Sequence, residues 1–194
     1  MIIAFHGLQG SGKSTGCALI RRNHPYAVTY GIKSTFSALA DVAFEGAFGI
    51  GGADLPESVR LLAYKKMQRA ISCCAEEFDA NVWSNKFAEQ VTGHLKDVLV
   101  LMDDCRTPQN LDALRLLSFK RPVMLFRLQA SPETRKSRCS AWRDDNSYTE
   151  QLLARPDDVG NIEWHDIDAE QSLNAVNHRL IELVTPSIKK WQKS

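Results

Sequence analysis

A glycine-rich segment set between an apolar run and a helical pattern most limits how this 194-residue chain can fold. Residues 7–14 read GLQGSGKS and fit the pattern GxxxxGK[ST]. The apolar run Ile2–His6 precedes them, and the helical pattern Ser14–Arg22 follows. In this context the glycines let successive backbone N–H groups point inward at a phosphate, at the positive end of the following helix. The pattern therefore predicts a phosphate-binding P-loop.

The residues of this loop have distinct expected roles. Lys13 adds a positive charge over the β- and γ-phosphates of ATP or GTP, and the Ser14 hydroxyl is placed to ligate Mg²⁺. ATP and Mg²⁺ are the predicted cofactors. The residues expected to bind the nucleotide are Gly7, Gly10, Ser11, Gly12, Lys13, Ser14 and Thr15.

Short apolar runs alternate with helical patterns along the whole chain, which is typical of a parallel sheet covered by helices on both faces. The predicted class is α/β, with a single domain over residues 1–194. The side chains of Thr107, Ser131 and Asp168 are predicted helix N-caps, and Gly46–Pro56 is predicted to be a loop. The predicted strands are Ile2–His6, Tyr26–Tyr30, Val98–Met102, Pro122–Leu128 and Ile162–Ile167.

Composition argues against several classes of protein. Lys and Arg number 24 against 23 Asp and Glu, so no global positive field is present to hold duplex nucleic acid. The five cysteines show neither CxxC pairing nor zinc-site spacing, which favours reduced thiols. No apolar run approaches the roughly 18 residues of a membrane span. We expect a soluble cytoplasmic protein without a membrane partner, and leave a homodimer open.

A second motif lies at the end of the predicted third strand. Val98–Met102 is followed by Asp103 and Asp104, which resembles a Walker B element, whose carboxylate holds the Mg²⁺ shell. Asp103 is therefore a candidate metal ligand beside Ser14. An ATPase usually has Glu at the second position to orient water, where this chain has Asp104. Arg106 follows at the carboxyl end of the strand, where its guanidinium could make bidentate hydrogen bonds to an acceptor phosphate.

Two arginines mark the helix predicted after the fourth strand. Arg135 and Arg138 lie three residues apart on one face of it. Phosphoryl transfer needs positive charge delivered as the site closes, so both are candidate catalytic residues together with Lys13. The charge-rich stretch from Arg135 to Arg155 also fits a solvated surface face.

Together these motifs resemble the P-loop deoxynucleoside monophosphate kinases of bacteriophages, a branch of the nucleotide monophosphate kinase superfamily. The matching segments are GLQGSGKST, Tyr30–Lys33, Ser58–Leu62, Val82–Trp83, DDCRTPQNLDALR and Thr149–Glu150. The resemblance implies a five-stranded sheet in the order 2-3-1-4-5. It also implies an acceptor-binding excursion at about 31–95 and a small helical lid at about 135–155. The location implied is the cytoplasm of a host cell.

The same resemblance implies residue roles. Lys33, Arg60 and Arg106 would hold the acceptor's 5′-phosphate, with Arg69 as an alternative to Arg60. Asp104 would approach the acceptor's sugar or the metal shell. Arg135 and Arg138 would clamp the phosphates in transit.

Three functions fit these motifs. The leading one is a kinase that moves the γ-phosphate of ATP to a (deoxy)nucleoside 5′-monophosphate. A second keeps the same site but phosphorylates hydroxymethylpyrimidines in DNA, which would need an open basic groove. The third is a nucleotide-gated ATPase or switch module, against which Asp104 and the paired arginines count.

Overall fold

The computed structural model describes residues 1–49, 54, 56, 58, 65–93, 97–105, 107–139 and 154–193. The chain divides into two compact units. One comprises Met1–Tyr30 and Ala88–Ser194, and the other is Gly31–Phe87. The predicted excursion at about 31–95 overlaps the second unit, and its role in acceptor binding stays a prediction.

A five-stranded sheet forms the centre of the first unit. Its order is β2-β3-β1-β4-β5, and each neighbouring pair is parallel. The predicted α/β class and the order 2-3-1-4-5 are confirmed. The strands are β1 (Ile2–His6), β2 (Val28–Tyr30), β3 (Val100–Cys105), β4 (Val123–Gln129) and β5 (Ile162–Asp168).

Four of the five strands differ from their predicted bounds, β4 by one residue at each end, β5 by one residue at one end, and β2 and β3 by more. β2 begins at Val28 rather than Tyr26, because a turn closed by Ala27 N–H donating to His24 O occupies the preceding residues. β3 does not stop at Met102 but continues through Cys105, because its pairing with β1 resumes after a register shift. The two aspartates of the predicted Walker B element therefore lie inside the strand.

The described part of the chain contains α1 (Lys13–Asn23), α2 (Ile32–Phe48), α3 (Lys65–Phe78), α4 (Val82–Thr92), α5 (Pro108–Ser118), α6 (Pro132–Ser137) and α7 (Leu173–Trp191). None of these helices is both long and apolar enough to cross a membrane.

Two of the three predicted N-caps are confirmed. The Thr107 side chain accepts from Asn110 N–H at the start of α5, and Ser131 accepts from Thr134 N–H at the start of α6. The Asp168 prediction is wrong, since Ser172 caps α7. β5 extends through Asp168, so no helix can begin there.

The main core lies between one face of the sheet and the helices α1 and α7. Phe5 and Phe126, both fully buried, stack with ring centroids 5.6 Å apart on neighbouring strands. Helix α7 contributes Val176, Leu180, Val184 and Ile188, which are four residues apart and form one buried stripe.

The second unit contains α2 and α3, which pack against each other. Ala40 and Phe44 form the buried side of α2. This helix ends at Gly49, which adopts a φ of +70°, so the predicted loop does not begin at Gly46. Most of the remaining residues to Pro56 lie outside the described part of the chain.

The stacked pair makes the core testable. We expect Phe126→Ala to lower the free energy of unfolding by about 3–5 kcal/mol, because it removes a fully buried ring and leaves a cavity. Phe119→Ala is the control, since that ring is 66% exposed, and should change stability by less than about 0.5 kcal/mol. Urea unfolding followed by circular dichroism measures both. Equal effects would contradict this assignment of the core.

Candidate active site

The P-loop connects the end of β1 to the start of α1. Gly10 and Gly12 have φ values of +78° and +100°, which side-chain-bearing residues rarely adopt. A Cβ added to Gly10 would overlap the carbonyl oxygen of Arg135 and lie 3.0 Å from its carbonyl carbon. The backbone of α6 therefore packs directly on the P-loop.

Two polar side chains of the loop are buried. Lys13 is 8% exposed, and its Nζ donates to Gly7 O at 2.5 Å and Leu8 O at 3.1 Å. Ser11 is 2% exposed, and its Oγ has no hydrogen-bond partner among the residues that the structure describes. A buried hydroxyl without a partner is costly, so this atom favours a polar ligand within the loop.

The amino terminus of α1 is electrostatically suited to an anion. No acidic residue occupies its first turn, so the positive end of the helix dipole is not neutralised locally. Ser14 and Thr15, in that first turn, are exposed. The curled loop, the buried Lys13 ammonium, the Ser11 hydroxyl without a described partner and the positive end of α1 together fit the phosphates of a nucleotide.

Asp103 follows Leu101 by two residues in β3 and so shares its face of the sheet, on which Leu101 packs in one core with Cys17 of α1. Burial and then the negative charge of Asp103 raise the pKa of the Cys17 thiol. Ser14 and Cys17 are three residues apart and share one face of α1. The two predicted metal ligands, Ser14 and Asp103, thus belong to the same side of the sheet.

No group of three or more His, Cys, Asp or Glu side chains in the described ranges could hold a metal ion by itself. Mg²⁺ in nucleotide sites needs only one or two protein oxygens, because phosphates and water supply the rest. A hydroxyl and a carboxylate therefore fit Mg²⁺ delivered with a nucleotide.

The predicted acceptor-binding residues are described only in part. Asp104 lies in β3 and Lys33 in α2, but nothing is described of either side chain. Arg60 and Arg106 lie outside the described residues. Arg69, the alternative to Arg60, is exposed on α3. The acceptor site stays a prediction.

Arg135 lies against the P-loop, as expected for a residue near the phosphates. It is 8% exposed, and its guanidinium donates to Ala130 O at 3.2 Å and to Gln9 O at 3.3 Å. The neighbouring Gln9 amide donates in turn to Cys139 Sγ at 3.2 Å. Two contacts thus join the loop to α6 and to Cys139, the second residue after it.

Arg138 lies against the connection between β5 and α7. Its guanidinium donates to Ala169 O at 2.6 Å and Gln171 O at 3.0 Å. To meet a phosphate at the P-loop, it would have to exchange these carbonyl oxygens for phosphate oxygens. The predicted lid beyond it, residues 140–153, lies outside the described residues.

Glu170 fixes the other end of α6. Its carboxylate accepts from Ser131 N–H and, at 2.5 Å, from the Thr134 hydroxyl. These hydrogen bonds, first the one from Thr134, hold the pKa of Glu170 below its usual value. Sequence reasoning missed this contact, because the partners lie 39 and 36 residues away and no local pattern marks them.

Structural comparison places this geometry among known folds. A gluconokinase from Sinorhizobium meliloti 1021 superposes with a TM-score of 0.56 at 14% sequence identity, covering 97% of this chain and 93% of that chain. The fold is that of a P-loop kinase.

Two further kinases are similar to this chain with lower scores. A sugar kinase from Janibacter sp. HTCC2649 gives a TM-score of 0.48 at 16% identity, covering 97% of each chain. A deoxyadenosine kinase from M. mycoides gives 0.49 at 13% identity, covering 95% of this chain and 99% of that one. No protein-family model and no curated protein sequence matches this chain. The narrower resemblance to bacteriophage kinases stays a prediction.

The contact between the P-loop and α6 generates a prediction. We expect Gly10→Ala to weaken ATP binding by about tenfold or more, because the added methyl meets the Arg135 carbonyl and the backbone is strained at positive φ. Calorimetric titration with ATP·Mg²⁺ measures this. The control is Gly46→Ala in α2, where a Cβ meets nothing within 4 Å. Wild-type affinity in a folded Gly10→Ala protein would contradict the packing described.

Proposed function

We propose that this protein is a kinase that uses ATP·Mg²⁺ to phosphorylate a (deoxy)nucleoside 5′-monophosphate. The observation that carries the proposal is a P-loop with a buried Lys13 ammonium and a buried Ser11 hydroxyl that has no hydrogen-bond partner among the described residues, at the positive end of α1. A P-loop kinase fold shared with a gluconokinase supports phosphoryl transfer over other uses of a nucleotide.

The loop carbonyls hold Lys13 ready for an anion. Its Nζ is bonded to Gly7 O and Leu8 O, so the charge is ordered before any ligand arrives. Phosphate oxygens would replace one or both carbonyl oxygens and give charge-assisted hydrogen bonds, which are the stronger kind. Because the charge is already in position, little reorganisation is needed during transfer.

Ser14 and Asp103 would hold the Mg²⁺ ion that accompanies the nucleotide. The ion would neutralise charge on the β- and γ-phosphates. The chain itself contributes one hydroxyl and one carboxylate from the same side of the sheet.

Arg135 and Arg138 would stabilise the transferring phosphoryl group. Arg135 is already bonded to the backbone of Gln9 in the P-loop. Arg138 is held by two carbonyl oxygens, which phosphate oxygens would replace with stronger, charge-assisted hydrogen bonds. Both act by positioning and charge, which supply most of the acceleration in phosphoryl transfer.

The acceptor is proposed from the resemblance to phage kinases and from two features of the sequence. Arg106 follows β3 directly, where a guanidinium suits a 5′-phosphate. A net charge of +1 disfavours a DNA acceptor. Lys33 and either Arg60 or Arg69 would complete the grip on the monophosphate.

This function is tested by measuring ADP release in the presence of each member of a panel of possible acceptors. We expect ADP release from ATP·Mg²⁺ to be slow alone and to rise by orders of magnitude with the right ribo- or deoxynucleoside monophosphate, because closing a kinase site without acceptor would expose the γ-phosphate to water. Lys13→Ala should abolish transfer and keep the fold. Lys189→Ala, at the exposed end of α7, is the matched control.

Two other results of the same assay would indicate the alternative functions, a DNA kinase or an ATPase. Stimulation by hydroxymethyluracil DNA alone would indicate the DNA kinase, and brisk hydrolysis unaffected by any acceptor would indicate an ATPase. Transfer at the wild-type rate by a folded Lys13→Ala protein would remove the P-loop assignment.

Arg138 gives a separate prediction. We expect Arg138→Ala to lower kcat about tenfold or more while changing ATP affinity by less than about threefold, as for a contact made mainly in the transition state. Single-turnover transfer and nucleotide titration measure the two quantities. Arg179→Ala, an exposed arginine of α7 paired with Glu182, is the control and should change neither. A loss confined to ATP affinity would make Arg138 a nucleotide-binding residue instead.

A further inference from the structure

We propose that His6 is a positioning residue for the divalent cation of the site. Its imidazole holds β3 in the bulged register that places Asp103 on the α1 side of the sheet. The inference rests on the proposed use of nucleotide·Mg²⁺ and does not depend on which acceptor is phosphorylated.

The pairing of β1 with β3 contains one extra residue on β3. Ala4 lies opposite Met102, and His6 lies opposite Cys105, so two steps along β1 correspond to three along β3. Asp103 and Asp104 therefore both lie opposite the single residue Phe5. Such bulges re-aim side chains and are common next to active sites.

The His6 side chain closes this bulge. It is 1% exposed, and its Nδ1 lies 2.7 Å from Cys105 O. A carbonyl oxygen only accepts hydrogen bonds, so Nδ1 carries the proton. His6 is the last residue before Gly7, and Cys105 is the first after the two aspartates. One hydrogen bond thus joins the strand that begins the P-loop to the strand that carries the carboxylates.

The bulge decides which residues face which side of the sheet. Without it, Asp104 rather than Cys105 would lie opposite His6, and each later residue would turn to the other face. Asp103 faces the α1 side, where its charge acts on Cys17 three residues beyond Ser14. Keeping the bulge therefore keeps the Asp103 carboxylate on the same side of the sheet as the Ser14 hydroxyl.

If position 6 had only a structural role, a buried imidazole would stabilise the strand less than an apolar side chain. The other residues of β1 are Ile2, Ile3, Ala4 and Phe5, all fully buried, and an apolar side chain at position 6 would extend that run. A buried polar group stabilises only through its hydrogen bonds. The imidazole's bond to Cys105 O reaches the backbone two residues after the candidate metal ligand Asp103, close to where outer partners of metal sites act.

Nucleotide affinity measured with and without metal tests this role. His6→Val and His6→Leu remove the donor, whereas His6→Asn keeps an N–H group at the same number of bonds from Cβ. His165→Leu is the matched control, because His165 lies in β5 and stacks on Phe126 on the other face of the sheet. The probe is ATP, titrated calorimetrically in EDTA and at graded Mg²⁺ concentrations.

We expect the Mg²⁺ concentration that gives half of the gain in ATP affinity to rise about tenfold or more in His6→Val and His6→Leu. Affinity in EDTA should stay within about twofold of wild type, since the loop and Lys13 are intact. His6→Asn and His165→Leu should keep the wild-type Mg²⁺ dependence.

Several results would overturn the proposal. One is a wild-type Mg²⁺ dependence of ATP affinity in a folded His6→Val or His6→Leu protein. A second is a Mg²⁺ dependence in His6→Asn that is weakened as much as in those two variants. A third is that neither His6→Val nor His6→Leu folds, which would make the role of His6 structural. A different result is a wild type that binds ATP more tightly with Mg²⁺ and yet transfers phosphate to no acceptor. That result would contradict the proposed reaction, and the test of His6 would still be valid. A wild type without Mg²⁺-linked ATP binding would overturn both.

Discussion

The pairing of β1 with a neighbour on each side is the interaction on which the site depends. β3 and β4 hydrogen-bond to β1 along its length, and the P-loop begins where β1 ends. Shifting β1 would break two ladders in a buried sheet, so the start of the loop is fixed. Helix α1 is fixed by the same strand, because a Cβ on Gly16 would come within 2.7 Å of the Phe5 ring. Close packing thus sets where the positive end of α1 lies.

The cations of the site share one property, which is that backbone carbonyl oxygens hold them. Lys13 is bonded to the P-loop, Arg135 to the P-loop and to Ala130, and Arg138 to the connection before α7. A hydrogen bond from these cations to a neutral carbonyl oxygen is weaker than one to a phosphate oxygen. An arriving nucleotide would therefore meet cations that are already ordered, and its phosphate oxygens would replace the carbonyl oxygens at low cost in free energy. Local ordering of this kind would let a chain with a net charge of +1 bind the proposed nucleotide at one place.

Features set by neighbouring residues could be predicted from the sequence, whereas features set across the chain could not. The P-loop pattern, the strands and the Thr107 and Ser131 caps each depend on a few adjacent residues, and the structure has all of them. The Asp168 cap was wrong because strand pairing with β4 extends β5 through that residue. The bulge at Asp103 and Asp104, the Glu170 contacts with α6 and the carbonyl partners of Arg138 join residues far apart in sequence, and no periodicity marks them.

Except for Arg106, the residues proposed to bind the acceptor's phosphate come from a different part of the chain from those proposed to bind the nucleotide. The proposed nucleotide site uses β1, α1, β3 and α6, which all belong to the first unit, whereas Lys33 and Arg69 belong to the second. Because one fold hosts many substrates, the likeness to a gluconokinase is compatible with a sugar, a nucleotide or another small acceptor. A phosphorylated acceptor, however, requires cations in addition to those on the ATP phosphates. The resemblance to the phage kinases would supply three such charges, from Lys33, from Arg60 or Arg69, and from Arg106, which is why we favour a monophosphate over a neutral sugar.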